Sequence, residues 1–248
     1  MKTIAVIAVV AFVFAAYYAG SFFSPRAVIV YNTTEGLNYK TGEAGGEGFT
    51  ATIIVPAVDE DGNGVATMLV VQVEPGSGST LVNIGKLIFW TDTQDSIRTA
   101  KDVAQKYVGV NASAYDITYS IMANASVIEG PSAGGALAVA TVAALEGRQP
   151  NLSVMMTGTI NPDGRIGPIG EQLAKAKAAR QIGAQLFLVP SGQSFETKYV
   201  QEKSCRNFGA SQVCTTENVP HKTNIAEAAG IDVVEVSTIG DAVRYFMG

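Results

Sequence analysis

This chain of 248 residues contains one histidine, two cysteines and one tryptophan. The histidine, His221, lies in a polar stretch far along the chain, so a Ser-His-Asp triad is an unattractive interpretation. Two cysteines are too few for a zinc site unless His221 and a fourth ligand join them. We therefore expect neither a metal centre nor a nucleophile activated by histidine.

Positive charge and nucleotide-binding motifs are also scarce. The chain has 17 Lys and Arg against 22 Asp and Glu, for a net charge of −5, so it carries no basic footprint for nucleic acid. The phosphate-loop pattern Gly-x-x-x-x-Gly-Lys-Ser/Thr does not occur. The glycine-rich segments 42–48 and 74–79 lack the lysine that this pattern requires, and they are typical of turns. We expect no nucleotide or other cofactor and no nucleic-acid partner.

The N-terminus contains an uncharged run from Ile4 to Phe23. About 20 apolar residues suffice for a helix to cross a hydrocarbon core of roughly 30 Å, and aromatic residues gather at the far end as in an interfacial belt. A secretory signal peptide is the alternative. Cleavage after Ala19 or Gly20 is disfavoured because a tyrosine lies two positions before each. Residues 1–26 are therefore predicted to form a membrane anchor or a signal peptide, with residues 4–23 in contact with lipid.

A serine lies in the segment Gly130-Pro131-Ser132-Ala133-Gly134-Gly135, between a β-like run at Asp116–Met122 and an apolar helix at Ala136–Leu145. Glycine and proline predict a tight turn that leaves the Ser132 hydroxyl exposed at the start of a helix. Backbone amides there have no intrahelical acceptor and can bind a developing oxyanion. Since no histidine is suitably placed, a lysine is the candidate base.

Two further motifs follow the serine segment. Met156-Thr157-Gly158 closes a β-like run from Leu152, and Gly164-Arg165-Ile166-Gly167-Pro168-Ile169-Gly170 leads into a helix at Glu171–Gln181. In this order and spacing, the three motifs resemble the proteolytic domain of Lon proteases, which are Ser-Lys dyad enzymes. The clearest match spans residues 116–190, and a weaker one extends from about residue 48 to the C-terminus.

The resemblance implies roles for four residues. Ser132 matches the nucleophile, Lys175 the general base, and Thr157 a hydrogen-bond partner that supports the lysine. Glu129 matches an acidic residue that touches the dyad, or it is simply a solvated loop acid. A lysine is protonated at neutral pH unless apolar surroundings lower its pKa, so the role requires Lys175 to be buried. Lys177 lies roughly 200° further round the helix and cannot face the same site.

Two features depart from the family pattern. Lon proteases usually carry an AAA+ ATPase, and its phosphate loop is missing here, so we expect peptide hydrolysis without ATP. In addition, the helix that follows Pro168-Ile169-Gly170 opens with Glu171-Gln172 in place of a second glycine. We expect this change to alter the substrate channel.

Cys205 and Cys214 bracket part of a polar segment, residues 204–218, which looks like an insertion into the Lon domain. This isolated pair favours a disulfide outside the reducing cytoplasm, with two free thiols as the alternative. Glycosylation-type triplets occur at Asn32, Asn111, Asn124 and Asn151. Together with the anchor, these features predict a single-pass cell-membrane protein with an extracytoplasmic catalytic domain.

The rest of the chain is predicted to form one Lon-type α+β domain, residues 49–248, after a linker and first strand at residues 27–48. Strands and helices alternate irregularly, which favours mixed sheets over a doubly wound sheet. The predicted strands are Phe49–Val58 and Gly64–Val73, which form a hairpin, and Asp116–Met122, Gln185–Val189 and Val233–Val236. Besides those named above, the predicted helices are Asp95–Val108, capped by Asp92 or Thr93, Thr223–Ala229 and Ile239–Phe246.

The sequence thus predicts a membrane-anchored, Lon-like serine endopeptidase that cleaves polypeptides through Ser132 and Lys175. The family resemblance implies assembly as a homo-hexamer. Two alternatives stay open. In one, the domain is catalytically silent and serves as a membrane-tethered binding or assembly module, with Lys175 a solvated helix lysine. In the other, the domain is active but faces the cytoplasm and depends on an unfoldase from a separate chain.

Overall fold

The computed structural model describes residues 48–58, 64–83, 88–89, 91–123, 127–128, 130–209 and 211–248. All of them belong to one compact unit. The predicted anchor at residues 4–23, most of the predicted linker at 27–48, and Glu129 lie outside the described residues. Within the described ranges, no helix is both long enough and apolar enough to cross a membrane.

The largest sheet has four strands. They are β1 at Phe49–Val58, β2 at Gly64–Pro75, β3 at Thr80–Asn83 and β5 at Tyr115–Ala123. The order is β1-β2-β5-β3, with antiparallel pairing except between β3 and β5. The predicted hairpin of the first two strands is confirmed in register from Phe49 opposite Val73. Alternate side chains of β1, those of Ala51, Ile53 and Val55, are buried on the core face.

A second sheet is parallel and lies in the C-terminal half of the chain. Its strands are β7 at Val154–Met156, β10 at Leu186–Pro190 and β13 at Asp232–Val236, in the order β13-β10-β7. Two small two-stranded pairs complete this part of the fold: β4 at Ile88–Phe89 with β6 at Val127–Ile128, and β8 at Thr159–Ile160 with β9 at Ile166–Gly167.

Five α-helices lie among the described residues. They are α1 at Thr91–Val108, α2 at Gly134–Leu145, α3 at Gln172–Gln181, α4 at Ile225–Ala229 and α5 at Ile239–Met247. Short 3-10 turns at Ala112–Ala114 and Pro131–Ala133 precede β5 and α2. The mixed sheets and interspersed helices confirm the predicted α+β class.

Helix α2 runs through the centre of the core. Every residue from Gly134 to Ala144 is buried, as expected for a helix that is apolar on all sides. Its one hydroxyl, on Thr141, donates to Leu137 O at 2.7 Å and lies 3.0 Å from Tyr119 Oη. Because α2 is fixed by packing on every side, the turn at its start, which carries Ser132, is fixed as well.

The start of α1 differs from the prediction. The helix begins at Thr91, so Asp92 and Thr93 lie in its first turn and are not caps. Asp92 accepts a hydrogen bond from the amide of Thr93 at 2.7 Å, and an acid in the first turn is favourable to the helix dipole. Helix α1 buries Ile97, Ala100, Val103 and Ala104, whereas Tyr107, in its last turn, is 43% exposed.

The segment that was expected to be an inserted loop, residues 204–218, is the outer part of a long hairpin. Its strands, β11 at Phe195–Phe208 and β12 at Ser211–Asn224, are 14 residues each and pair antiparallel. Thr223 and Asn224, which were predicted to begin the helix Thr223–Ala229, belong to strand β12 instead. Both faces of the hairpin are largely exposed, with Tyr199 at 71%, so the sequence lacks the alternation of apolar and polar residues that marks a half-buried strand.

Cys205 and Cys214 are directly opposite in the hairpin and form a disulfide. A two-stranded ribbon is marginally stable on its own, and closing a loop of about 10 residues stabilises by roughly 2–3 kcal/mol in the chain-entropy model. Reduction should therefore increase amide hydrogen exchange in the outer part of the hairpin, and trypsin should cut faster at Arg206. Elements α2 and α3 should keep their protection. Equal exchange in oxidised and reduced protein would show that the disulfide does not support the hairpin.

Candidate active site

The turn that carries Ser132 is tied to the end of β7. The carbonyl of Ser132 accepts hydrogen bonds from the amide of Gly158 at 2.8 Å and from the hydroxyl of Thr157 at 3.3 Å. In return, the amide of Gly135 donates to Gly158 O at 2.9 Å. Gly130, with φ 87°, adopts the left-handed backbone that starts the turn. The serine motif and the Thr157-Gly158 motif are thus two halves of one hydrogen-bonded unit.

The glycines at the start of α2 allow this close approach. A Cβ at Gly134 would lie 2.8 Å from Ile160 Cγ2, and one at Gly135 would lie 2.7 Å from Met156 Cε. Side chains at these positions would push the helix away from the segment that follows β7. The spacing of the serine and threonine motifs therefore reflects the contact between α2 and this segment.

Helix α3 brings Lys175 to the serine. Nζ of Lys175 donates a hydrogen bond to Ser132 Oγ at 3.0 Å, and the lysine is only 6% exposed. Burial lowers the pKa of Lys175, and the nearby charge of Glu171 raises it by a smaller amount. Lys177 is exposed, so the two lysines face in different directions, as predicted.

Ser132 and Lys175 line an open cleft of about 580 Å³. One wall is the serine turn with Thr159, and the other is the Pro168-Ile169-Gly170 segment with the start of α3. The charged residues among those that line the cleft are Lys175 and Glu171. A cleft of this shape leaves one side of Ser132 accessible to a chain entering from solvent.

The segment before α3 is held by side chains that sequence reasoning did not identify. The side-chain amide of Gln193 accepts from Ile169 N at 2.9 Å and donates to Ile169 O at 2.8 Å, while Gln172 Nε2 also donates to Ile169 O at 2.8 Å. Glu196, at the base of the hairpin, accepts from the amide of Leu173 in the first turn of α3 at 3.5 Å. These contacts fix the approach to Lys175. No spacing pattern in the sequence signals those of Gln193 and Glu196, because their partners are 24 and 23 residues away.

Other candidate residues lie in different environments. The Thr157 hydroxyl bonds to the Ser132 carbonyl, which differs from the lysine contact that we expected. His221 lies on β12, where its Nε2 is 3.2 Å from Glu202 Oε1, in an exposed part of the hairpin. In the part of the chain that the structure describes, no group of three or more His, Cys, Asp or Glu side chains could hold a metal ion.

The amides near Ser132 are less free than the sequence suggested. Those of Gly134 and Gly135 donate to Pro131 O and Gly158 O, respectively. The amide of Ser132 itself lies in the first turn, where an intrahelical acceptor is lacking. The amides of the two glycines are therefore not available as donors to an oxyanion at this site.

Comparison with known families agrees with this geometry. Residues 67–224, more than half of the chain, match the model of the Lon protease (S16) C-terminal proteolytic domain. The chain belongs to this family. The Lon match covers the serine turn, the Thr157-Gly158 unit and α3, as well as the hairpin that follows.

Curated Lon proteases from bacteria and archaea are similar to this chain. Lon protease 1 of Thermus thermophilus is 37% identical over 94 residues, which are 38% of this chain and 12% of that protein. The archaeal Lon protease of Archaeoglobus fulgidus is 26% identical over 137 residues, 54% of this chain and 22% of the relative. The Lon protease of Haemophilus influenzae is 28% identical over 176 residues, 67% of this chain and 22% of the relative. The chain thus matches about a fifth or less of the length of these relatives.

Proposed function

We propose that this Lon-family chain is a serine endopeptidase in which Ser132 is the nucleophile and Lys175 the general base. The observation that carries the proposal is the 3.0 Å hydrogen bond between Lys175 Nζ and Ser132 Oγ within an open cleft. Burial lowers the pKa of Lys175, as a base that works near neutral pH requires. A lysine and a serine paired in this way form the nucleophile–base unit of covalent catalysis.

The steps of the reaction follow from the two side chains. Neutral Lys175 takes the proton of Ser132 as Oγ attacks the carbonyl carbon of the scissile peptide bond. The resulting ammonium gives this proton to the leaving amine, the C–N bond breaks, and an acyl-enzyme ester on Ser132 remains. Water then enters, Lys175 removes its proton, and hydrolysis of the ester releases the acid product and restores the serine.

The negatively charged oxygen of the tetrahedral intermediate requires a hydrogen-bond donor beside Ser132. Its own amide, at the positive end of the buried helix α2, has the position to bind the oxyanion. Thr157 acts indirectly, because its hydroxyl holds the Ser132 carbonyl and thereby the orientation of the turn. Thr157 is therefore a positioning residue for the nucleophile.

The expected substrates are unstructured polypeptides. The cleft is open to solvent, and the sequence contains no phosphate loop with which this chain could bind ATP for unfolding. The full chain, purified in detergent, should degrade casein without ATP and leave a folded protein of similar size intact. Strict dependence on added ATP, or on a second protein, would contradict the ATP-independent part of the proposal and favour a separate unfoldase.

We further propose that residues 4–23 anchor the chain in the cell membrane, with the catalytic domain outside the cytoplasm and arranged as a homo-hexamer. The support is the uncharged N-terminal run and the disulfide between Cys205 and Cys214. Trypsin added to intact spheroplasts should digest the domain, and the detergent-solubilised chain should have the mass of six copies. A fully protected domain with two alkylated thiols would place it in the cytoplasm, and a monomer would exclude the ring.

The proposed mechanism predicts a rise of activity with pH. Only the neutral form of Lys175 accepts the serine proton, so kcat/KM should increase as the pH rises through the pKa of this lysine, which burial lowers. Activity should be weak near about pH 6 and higher at roughly pH 8–9. Initial rates of peptide cleavage across this range, at constant ionic strength, provide the measurement. A flat profile would mean that no lysine titrates in the rate-determining step.

A further inference from the structure

Glu171 has a backbone conformation that residues with a side chain rarely adopt. Its φ is 59° and its ψ is 38°, in the left-handed region. Among the described residues, it is the single non-glycine residue with a positive φ. This conformation is strained for any residue with a Cβ, and such strain is characteristic of functional positions. Glu171 is therefore a candidate for a functional role in the cleft.

Among the described residues, none forms a salt bridge with the carboxylate of Glu171. The residue is exposed at the cleft, and the ion pairs found within the described ranges involve other carboxylates. Lys175 lies one helical turn further along α3, and its amide donates to Glu171 O at 3.1 Å. Both residues line the cleft, and the charge of Glu171 acts on Lys175, so the two are neighbours there.

The charge of the cleft depends on the protonation of Lys175. Glu171 and Lys175 are the charged residues that line it. In the form that is ready to attack, Lys175 is neutral and no longer offsets the carboxylate of Glu171. Among the described residues that line the cleft, the carboxylate of Glu171 is thus the group that attracts positive side chains of a substrate.

We propose that Glu171 is a specificity-determining residue whose carboxylate binds a lysine or arginine side chain of the polypeptide next to the scissile bond. This inference rests on the proposed endopeptidase function. Neighbouring side chains of an extended chain project to opposite sides, so one basic residue can contact Glu171 while its peptide bond lies at Ser132. Glu171 itself lines the cleft, at the start of α3.

The test uses two peptides that differ only in one residue next to the scissile bond, lysine or methionine. The full chain should cleave the lysine peptide with a kcat/KM about fivefold higher, the effect of one partly exposed ion pair. The preference should decrease at high salt because the interaction is screened. In the Glu171→Gln variant the ratio of the two kcat/KM values should approach one. A matched control, Glu227→Gln, removes an exposed charge from α4 and should leave the ratio unchanged.

Glu171→Gly serves as a second variant because glycine adopts a positive φ without strain. It should lose the preference like Glu171→Gln and unfold at a higher temperature. A ratio that stays at the wild-type value in both variants would overturn the inference. So would an equal change of both kcat/KM values, because Glu171 would then act only through the charge of Lys175.

Failure of the inference can be distinguished from failure of the proposed function. If the wild-type chain cleaves neither peptide, the proposed endopeptidase function is wrong. Binding of the same peptides to the Ser132→Ala variant, measured by fluorescence anisotropy, still decides the inference. The inference is supported if Ser132→Ala binds the lysine peptide more tightly than the methionine peptide and the double variant Ser132→Ala/Glu171→Gln does not. Equal binding of both peptides to Ser132→Ala overturns the inference.

Discussion

Replacement of Ser132 with alanine should reduce kcat for peptide cleavage by at least about 10³-fold, because the acyl-enzyme can no longer form. The side chain is partly exposed and its hydroxyl bonds to Lys175 Nζ, so its loss opens no cavity in the core. The free energy of unfolding should change by no more than about 0.5 kcal/mol. Initial rates and thermal unfolding of the same preparations measure both effects.

Ser113→Ala is a suitable control for the serine variant. Ser113 lies in the 3-10 turn before β5, and its hydroxyl donates to Asn111 Oδ1 at 2.8 Å. We expect it to keep wild-type activity. Substantial residual activity in Ser132→Ala, with Ser113→Ala unchanged, would assign the nucleophile to another group.

Replacement of Lys175 with methionine should reduce kcat by about 10³-fold, the size expected for loss of a general base. Methionine fills similar space but has no charge to bury. Because burial lowers the pKa of Lys175, the protonated lysine opposes folding at neutral pH. The variant should therefore unfold at the same temperature as the wild type or at a higher one. Loss of activity without loss of stability is the signature of a catalytic group.

Lys177→Met is the matched control, since Lys177 is exposed two residues further along α3. It should change kcat by less than about twofold, as expected for a surface substitution. Lys175→Arg should be as inactive as Lys175→Met, because a guanidinium stays protonated and cannot act as a base. Loss of activity in Lys177→Met with retention in Lys175→Met would reverse the assignment of the two lysines.

The contact between Ser132 and Lys175 was predicted because the motifs that carry them resemble those of Lon proteases. The glycines around Ser132 indicate a tight helix start, and the helical spacing of Lys175 and Lys177 indicates that only one of them faces the site. Burial of an apolar helix such as α2 is also evident from composition alone. The apolar strand Phe49–Val58 was predicted with its observed bounds, whereas the next strand was predicted to end at Val73 and extends to Pro75.

Features that depend on tertiary contact could not be predicted. The hairpin of β11 and β12 is exposed on both faces, so neither strand shows a period of two, and β12 contains Pro220, a residue that is disfavoured inside strands. Both strands of a two-stranded ribbon are edges, where proline is tolerated. The contacts of Gln193 with Ile169 and of Thr157 with Ser132 join distant segments. The positive φ of Glu171 follows from how the segment before α3 is held.

The most direct test of the proposed dyad is to label the full chain with a fluorophosphonate, which reacts with activated serines, and to locate the adduct by mass spectrometry. The Lys175–Ser132 hydrogen bond predicts an adduct on Ser132 that forms faster as the pH rises. The Lys175→Met variant retains Ser132 but should not be labelled, whereas Lys177→Met should be labelled like the wild type. No adduct on Ser132, or equal labelling with and without Lys175, would contradict the dyad and favour a catalytically silent binding module.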